Sequence, residues 1–364
     1  MKLFWVTAMA KYLLVQTAIG DYRQAVLDLL YDLAGDDLLV VCGDVYFDKT
    51  TLTRVSFKGK RLLAFNKFFL GRRFLWQIGT FQESLKADSV IIEMNPRIIN
   101  SWFVPIFRKL LGKKTVMWGH AWPREGKLAQ SDYIRNLLRL LADIIVVYTE
   151  TQKSELQEKM PGKKILSAPN ALYRSDEMSV AIGEKRNFVY VGRLVSEKKP
   201  MLMIKAFFEY LGRNPEYDGT LVVVGDGPER VACESLVDSS QYRERVVFKG
   251  HVADVAQLRS IYSSAFFSLS PGYVGLSITQ SFSFGVPMIV AHGENHSPEI
   301  EAAVENSNAI FFKMDSVEDL AAVMSEAWRN REFWLAQSDD IVDNCKKRYS
   351  ADYMAHQLWS AMNV

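Results

Sequence analysis

The sequence is short of cysteine, of net charge and of long apolar runs, and each shortage closes off a class of protein. Its 364 residues hold three cysteines, Cys42, Cys233 and Cys345, far apart and without a Cys-x-x-Cys. That excludes a disulfide framework and a structural zinc site, and it suits a reducing compartment. Five histidines are present, none at metal-ligand spacing with a cysteine, so no metal and no resident cofactor are expected. A formal charge of +2 names no polyanionic or polycationic partner for the chain as a whole. No uncharged run reaches the roughly 20 apolar residues that span a bilayer. The first segment, MKLFWVTAMAKYLLVQTAIG, is interrupted by Lys11, Gln16 and Thr17 and lacks a basic leader and a cleavage site. It reads as a first strand and loop rather than a targeting segment. No fixed-period repeat or low-complexity tract is present.

What remains is ordinary globular material, 49% hydrophobic and 24% charged, enough for two cores. Short apolar runs recur: Leu38–Cys42, Ser89–Glu93, Thr115–Trp118, Ile144–Tyr148 and Lys164–Ala168. After a polar break come Phe188–Val191, Leu221–Val224, Val246–Phe248, Phe266–Leu269, Pro287–Val290 and Ala309–Phe312. Runs apolar throughout suit parallel strands covered on both faces. Amphipathic segments such as Ala25–Leu33, Tyr133–Leu141, Leu202–Tyr210 and Val317–Arg329 lie between them. The alternation predicts α/β architecture with doubly wound sheets. The polar stretch 174–186 separates two domains, 1–175 and 176–345, and 346–364 reads as a C-terminal helix that packs back on the first.

The stretch FVYVGRLVSEKKPMLMIKAF runs from a buried strand into Gly192 and Arg193, then Lys198 and Lys199, then a proline-led helix. Two cations beside a helix start make an anion site suited to a diphosphate; a solvated basic loop is the alternative from charge alone. Next come LVVVGDGPER, where Gly225 and Gly227 permit a close backbone approach, and RVVFKGHV, ending in a glycine turn. Then SLSPGYVGLSITQSFSFGVPMIV reads as strand, glycine-rich loop, helix and strand.

The order of these four elements resembles the donor domain of retaining GT-B glycosyltransferases of the large group 1 family, over about Asn187–Leu320. The resemblance implies a GT-B fold, two Rossmann-like domains facing a cleft. It implies that Arg193 and Lys198 hold the donor diphosphate next to Gly192. It implies that His251 and Val252 lie against the base, and that Tyr273, Val274, Gly275, Leu276, Ser277 and Gln280 cradle the sugar and ribose. The family sets two glutamates around this loop. Here those positions fall on Gly272 and Gln280, which marks a divergent branch. Glu299 is a candidate carboxylate nearby, or simply a helix N-terminal glutamate.

In the first half, KKTVMWGHAWPREG is a strand emptying into a loop with His120. The resemblance puts a histidine there facing the donor sugar; a structural loop histidine is the other reading. Asn170 after Pro169 matches the family's turn before the interdomain linker. Between Lys49 and Gln82 stand eight lysines or arginines and no acid, among Phe57, Phe65, Phe68, Phe69, Phe74 and Trp76. Such a mixture suits an anionic membrane surface or lipid-linked acceptor. A core helix with a solvated basic side competes with it. No nucleic-acid fold motif accompanies the charge.

The expected activity is transfer of a sugar, with retention, from a nucleoside-diphosphate sugar to a hydroxyl acceptor. The acceptor expected is a lipid-linked glycan of surface polysaccharide or lipopolysaccharide synthesis, met at the cytoplasmic face of a membrane. A catalytically weak nucleotide-sugar-binding protein is the alternative, and a dinucleotide oxidoreductase is disfavoured by the lack of a full GxGxxG fingerprint.

Overall fold

The computed structural model describes residues 10–49, 51–123 and 125–363. The expectations placed on residues 1–9 lie outside that range. The chain divides into two compact units, Met1–Leu172 with Ala351–Val364, and Tyr173–Ser350.

The first unit contains strands β1 (Tyr12–Gln16), β2 (Leu38–Cys42), β3 (Lys60–Leu63), β4 (Phe65–Phe69), β5 (Phe74–Ile78), β6 (Ser89–Glu93), β7 (Thr115–Trp118), β8 (Ile144–Val147) and β9 (Lys164–Ser167). Seven of these form one parallel sheet in the order β3-β2-β1-β6-β7-β8-β9. Helices α1 (Gln24–Ala34), α2 (Thr80–Lys86), α3 (Asn100–Leu110), α4 (Asp132–Leu141) and α5 (Glu150–Lys159) connect them. Successive strand residues face opposite sides. Leu14, Val40, Ile91, Val116 and Ile144 therefore pack toward α1, while Leu13, Val41, Ile92, Met117 and Ile145 pack toward α3, α4 and α5.

The segment between β2 and α2 departs from the helix considered for it. β4 and β5 form an antiparallel hairpin, because burial here alternates with period two around Asn66, Leu75 and Gln77. Buried Asn66 donates to the Thr17 carbonyl at 2.8 Å and accepts from Gln77 at 3.0 Å, fastening the hairpin beside the end of β1. Its turn sets Leu70, Gly71 and Arg72 at positive φ. The outer face bears Phe65 (64% exposed), Leu70 (74% exposed), Phe69 and Phe74 beside Lys67 and Arg73.

The second unit holds β10 (Asn187–Val191), β11 (Leu221–Val224), β12 (Val246–Gly250), β13 (Ala265–Ser270), β14 (Met288–His292) and β15 (Ala309–Lys313). They form a parallel sheet in the order β12-β11-β10-β13-β14-β15. Its helices are α6 (Pro200–Arg213), α7 (Arg230–Asp238), α8 (Val255–Ser263), α9 (Ser277–Ser283), α10 (Val317–Arg329), α11 (Arg331–Ala336) and α12 (Ser338–Tyr349). A core of Phe188, Phe207, Tyr210, Tyr217, Phe266 and Phe267 sits between the sheet and α6 and α10.

The chain then returns to the first unit as α13 (Ala351–Met362), which packs on α1 through Met354, Ala355, Leu358 and Ala361. Tyr12 stacks edge-on against Trp359 at 4.8 Å and donates to Asn363 at 2.9 Å. All three cysteines are free and buried. Among the described residues no helix is long and apolar enough to cross a membrane.

Candidate functional site

Open parallel sheets bind ligands beyond the carboxyl ends of their strands, where the strand order reverses. In the second unit that point lies between β10 and β13. Gly192 and Arg193 leave β10, residues Ser196–Lys198 make one 3-10 turn, and Lys199 (φ 52°) precedes Pro200, the first residue of α6. The loop leaving β13 lies on that turn. The Tyr273 N–H donates to the Glu197 carbonyl at 3.2 Å. Lys198 Nζ donates to the Tyr273 carbonyl at 2.7 Å, and the same ammonium sits 3.7 Å from the centre of the Tyr273 ring.

Burial, reinforced by the like charge of Arg193 and opposed by Glu299, pushes the Lys198 ammonium down to about 8. Among the described residues no carboxylate makes an ion pair with this ammonium. Arg193 is exposed, and its carbonyl accepts from Tyr190 Oη at 2.8 Å. Gly225 (φ 137°) keeps the turn after β11 tight against this strand end, since a Cβ there would sit 1.8 Å from the Gly192 carbonyl oxygen.

His296 secures the far side of the glycine loop. Its Nδ1 accepts from the Val274 N–H at 2.9 Å. Its Nε2 lies 2.8 Å from the Ala291 carbonyl, which can only accept, so the ring is neutral with the proton on Nε2. Burial, the leading cause, holds its pKa below the usual histidine value. Ser297 N–H donates to the Val274 carbonyl at 3.0 Å. Lys199 pairs with Glu294 and, at 2.6 Å, with Asp315, tying the turn before α6 to the segments after β14 and β15.

Other sequence-predicted residues occupy the same end of the sheet. Gly275 and Leu276 lead into α9, whose first residue is Ser277. Gln280 donates to Tyr173 Oη at 2.8 Å. His251 and Val252 follow β12, two strands from β10, where the Gly250 carbonyl accepts from Gly225 N–H at 2.7 Å. Glu299 is 6% exposed, in a short 3-10 helix.

In the first unit the strand order reverses between β1 and β6. There the carboxyl ends of β1, β6 and β7 border a cavity of about 380 Å³. Gln16, Glu93, Trp118 and His120 stand at those ends, with Arg23, Arg97, Arg135, Tyr148 and Asn170 around them. The Thr17 N–H donates to the Glu93 carboxylate. Burial nevertheless pushes the Glu93 carboxyl above its usual range. The His120 ring lies 4.7 Å from the Tyr148 ring, and its carbonyl accepts from Arg135 Nη1 at 3.0 Å.

Residues 175–348 match the family model of the glycosyl transferases group 1. That is just under half of the chain, and it takes in the whole second-unit site. An uncharacterized glycosyltransferase of Haemophilus influenzae is 26% identical over 238 residues, 63% of this chain; the match spans 64% of that relative's length. Among solved structures, HepE of Anabaena in complex with UDP aligns with a TM-score of 0.68 at 13% identity, covering 97% of this chain and 99% of that one. A glycosyltransferase of Rickettsia africae aligns at 0.69 and 12% identity, covering 97% of each chain. The lipopolysaccharide outer core galactosyltransferase WaaB aligns at 0.64 and 15% identity, covering 97% and 99%. The fold is GT-B.

Gly272 is required by the space around it. A Cβ at this position would lie 2.2 Å from the Glu197 carbonyl oxygen and 2.8 Å from the Lys198 backbone. The turn that carries Lys198 fills the space any side chain here would need. Sequence reasoning passed over Tyr173, the partner of Gln280, and the first-unit cluster of Arg23, Glu93 and Arg135. A charged residue closing an otherwise apolar strand, Glu93 after SVII, was the available signal.

Proposed function

We propose that this chain is a glycosyltransferase that moves a sugar from a nucleoside-diphosphate sugar to a hydroxyl acceptor, with retention of anomeric configuration. The observation that carries this is the half-buried Lys198 ammonium, beside Arg193 and under the Tyr273–Gly275 loop, at the strand-order reversal of a group 1 domain. As the glycosidic bond breaks, negative charge grows on the leaving diphosphate. Lys198, fixed on Tyr273, and Arg193 beside it stabilise that charge, so little reorganisation of the lysine is needed in the transition state. The loop held by His296 at Val274 offers the Gly275 and Leu276 N–H groups to the sugar. The donor is a UDP-hexose, a choice supported by the UDP and UDP-glucose complexes of HepE and the galactosyltransferase WaaB.

The acceptor in this proposal is a lipid-linked glycan of surface polysaccharide synthesis, bound by the first unit, and the chain works peripherally at the cytoplasmic face of an anionic membrane. Support comes from the basic and aromatic outer face of the β4–β5 hairpin, extended by exposed Phe103, Ile106, Phe107 and Leu110 on α3. The purified chain should release UDP from UDP-glucose or UDP-galactose faster when extracted lipid-linked glycan is added. Acceptor-independent hydrolysis alone would favour a second reading, a weak nucleotide-sugar-binding protein, for which Gly272 is the supporting observation.

A further inference from the structure

The first-unit cavity is walled by groups that want an acceptor. Three buried N–H donors on its lining residues lack a hydrogen-bond partner: Arg23 Nη1, Arg135 Nε and Trp118 Nε1. Leaving such a donor unmade costs about 1–3 kcal/mol, more for a charged group. Arg23 is only 8% exposed. Its contacts are neutral: Asn170 Oδ1 and Tyr22 Oη, each at 3.2 Å, the Tyr148 hydroxyl, and the Trp118 ring 4.2 Å from the guanidinium. A buried guanidinium held by neutral groups retains most of its attraction for an anion, because little solvent screens it.

The charge balance has the same sign. Arg23, Arg97 and Arg135 line the cavity against one carboxylate, Glu93. Burial favours the neutral form of that carboxyl, which weakens its opposition to an incoming anion. Arg135 Nη1 is already committed to the Met94 and His120 carbonyls at 3.1 and 3.0 Å, so its guanidinium is fixed in place rather than free to swing away. Pre-fixed donors bind with less loss of side-chain freedom.

We propose that this cavity is a subsite for an anionic group, the carboxylate or phosphate of a sugar in the glycosyl acceptor. That the sugar belongs to the acceptor rests on the transferase reading above; the anion site does not. The acceptor is thereby an acidic or phosphorylated glycan rather than a neutral one. Its oxygens satisfy the buried donors that lack a partner among the described residues.

The test is calorimetric titration of the full chain, at constant ionic strength, with glucuronate, glucose 6-phosphate and glucose. At least one charged sugar should bind tenfold or more tightly than glucose, and the stronger of the two tells carboxylate from phosphate. Arg135→Gln and Arg97→Gln should each weaken that binding at least fivefold while leaving the response to UDP intact. Arg97 is exposed, so its variant folds even if replacement at Arg135 or Arg23 does not. Lys198→Ala should weaken UDP binding roughly ten- to a hundredfold yet keep the charged-sugar response. Equal binding of glucose and the charged sugars overturns the proposal, as does a charged-sugar affinity unchanged in both arginine variants. Competition of the charged sugars by UDP in the wild type, lost in Lys198→Ala, also overturns it by placing them in the second unit. Loss of UDP binding in the wild type itself would instead refute the transferase reading and leave the anion site standing.

Discussion

Lys198 meets Tyr273 twice, donating to its carbonyl at 2.7 Å and resting its ammonium 3.7 Å from the ring centre. The contact fixes a cation where burial resists charge, and the ammonium titrates near 8 as a result. A lysine whose folded pKa is depressed below its ordinary value costs stability in full below the folded pKa, and that cost lifts as pH climbs from there toward the ordinary value. A bound diphosphate reverses the preference by supplying the missing counter-charge. Nucleotide binding should therefore take up protons near pH 8, and the UDP-induced rise in melting temperature should shrink between pH 7 and pH 9. Titrations in buffers of different ionisation enthalpy measure the uptake. A response that does not change across that interval would show that Lys198 is not the ligand.

His296 offers a second pH handle of the opposite consequence. Its lone pair on Nδ1 holds Val274, and a proton there removes the acceptor. Because burial depresses its pKa, the bond is complete at neutral pH, and the stability tied to it is lost as pH falls below the ordinary histidine value, roughly 6.5. His296→Ala should raise the donor KM about fivefold, the equivalent of one hydrogen bond worth ~1 kcal/mol, with a smaller effect on kcat. His296→Gln, which keeps an acceptor, should recover part of the loss and flatten the acid limb of the pH profile.

Placing a glutamate at Gly272, where the resemblance to group 1 enzymes leads one to expect it, should harm rather than help. Gly272→Glu forces a Cβ to within 2.2 Å of the Glu197 carbonyl, so the turn bearing Lys198 must move. Overpacking of this kind costs about 1–3 kcal/mol. A lower melting temperature together with weaker UDP binding is expected. An increase in turnover would mean that the loop has room the structure does not show.

For the hairpin, each basic side chain near anionic headgroups contributes ~1 kcal/mol. Replacing Lys67 and Arg73 with glutamine should lower binding to vesicles containing phosphatidylglycerol roughly thirtyfold and leave binding to pure phosphatidylcholine unchanged. Leu70→Ser, at the exposed turn, tests the apolar contribution separately.

Much of the fold is legible in the sequence because parallel strands buried on both faces leave apolar runs with polar punctuation. Leu38–Cys42, Ser89–Glu93, Thr115–Trp118 and Leu221–Val224 coincide with the observed strands residue for residue. The hairpin was not legible. Its outward residues include aromatics and its inward ones include Asn66 and Gln77, the reverse of the usual pattern, because a polar network anchors it beside the small apolar cluster of Leu75, Phe47 and Ile98. In the second unit the candidate residues follow strand ends in short order, so Gly192, Arg193 and Lys198 can be found by spacing. The first-unit cavity collects Arg23, Glu93 and Arg135 from three distant segments. No local spacing announces such a cluster; only the strand order of the sheet brings it together.

The most direct test of the second-unit site is the affinity of the purified chain for UDP, measured calorimetrically for the wild type, Arg193→Ala and Lys198→Ala. Loss of a hydrogen bond to a charged group costs about 1.5–3 kcal/mol, so each replacement should weaken binding roughly ten- to a hundredfold. Wild-type affinity in both variants, or no UDP binding by the wild type, would contradict a diphosphate held between these two cations.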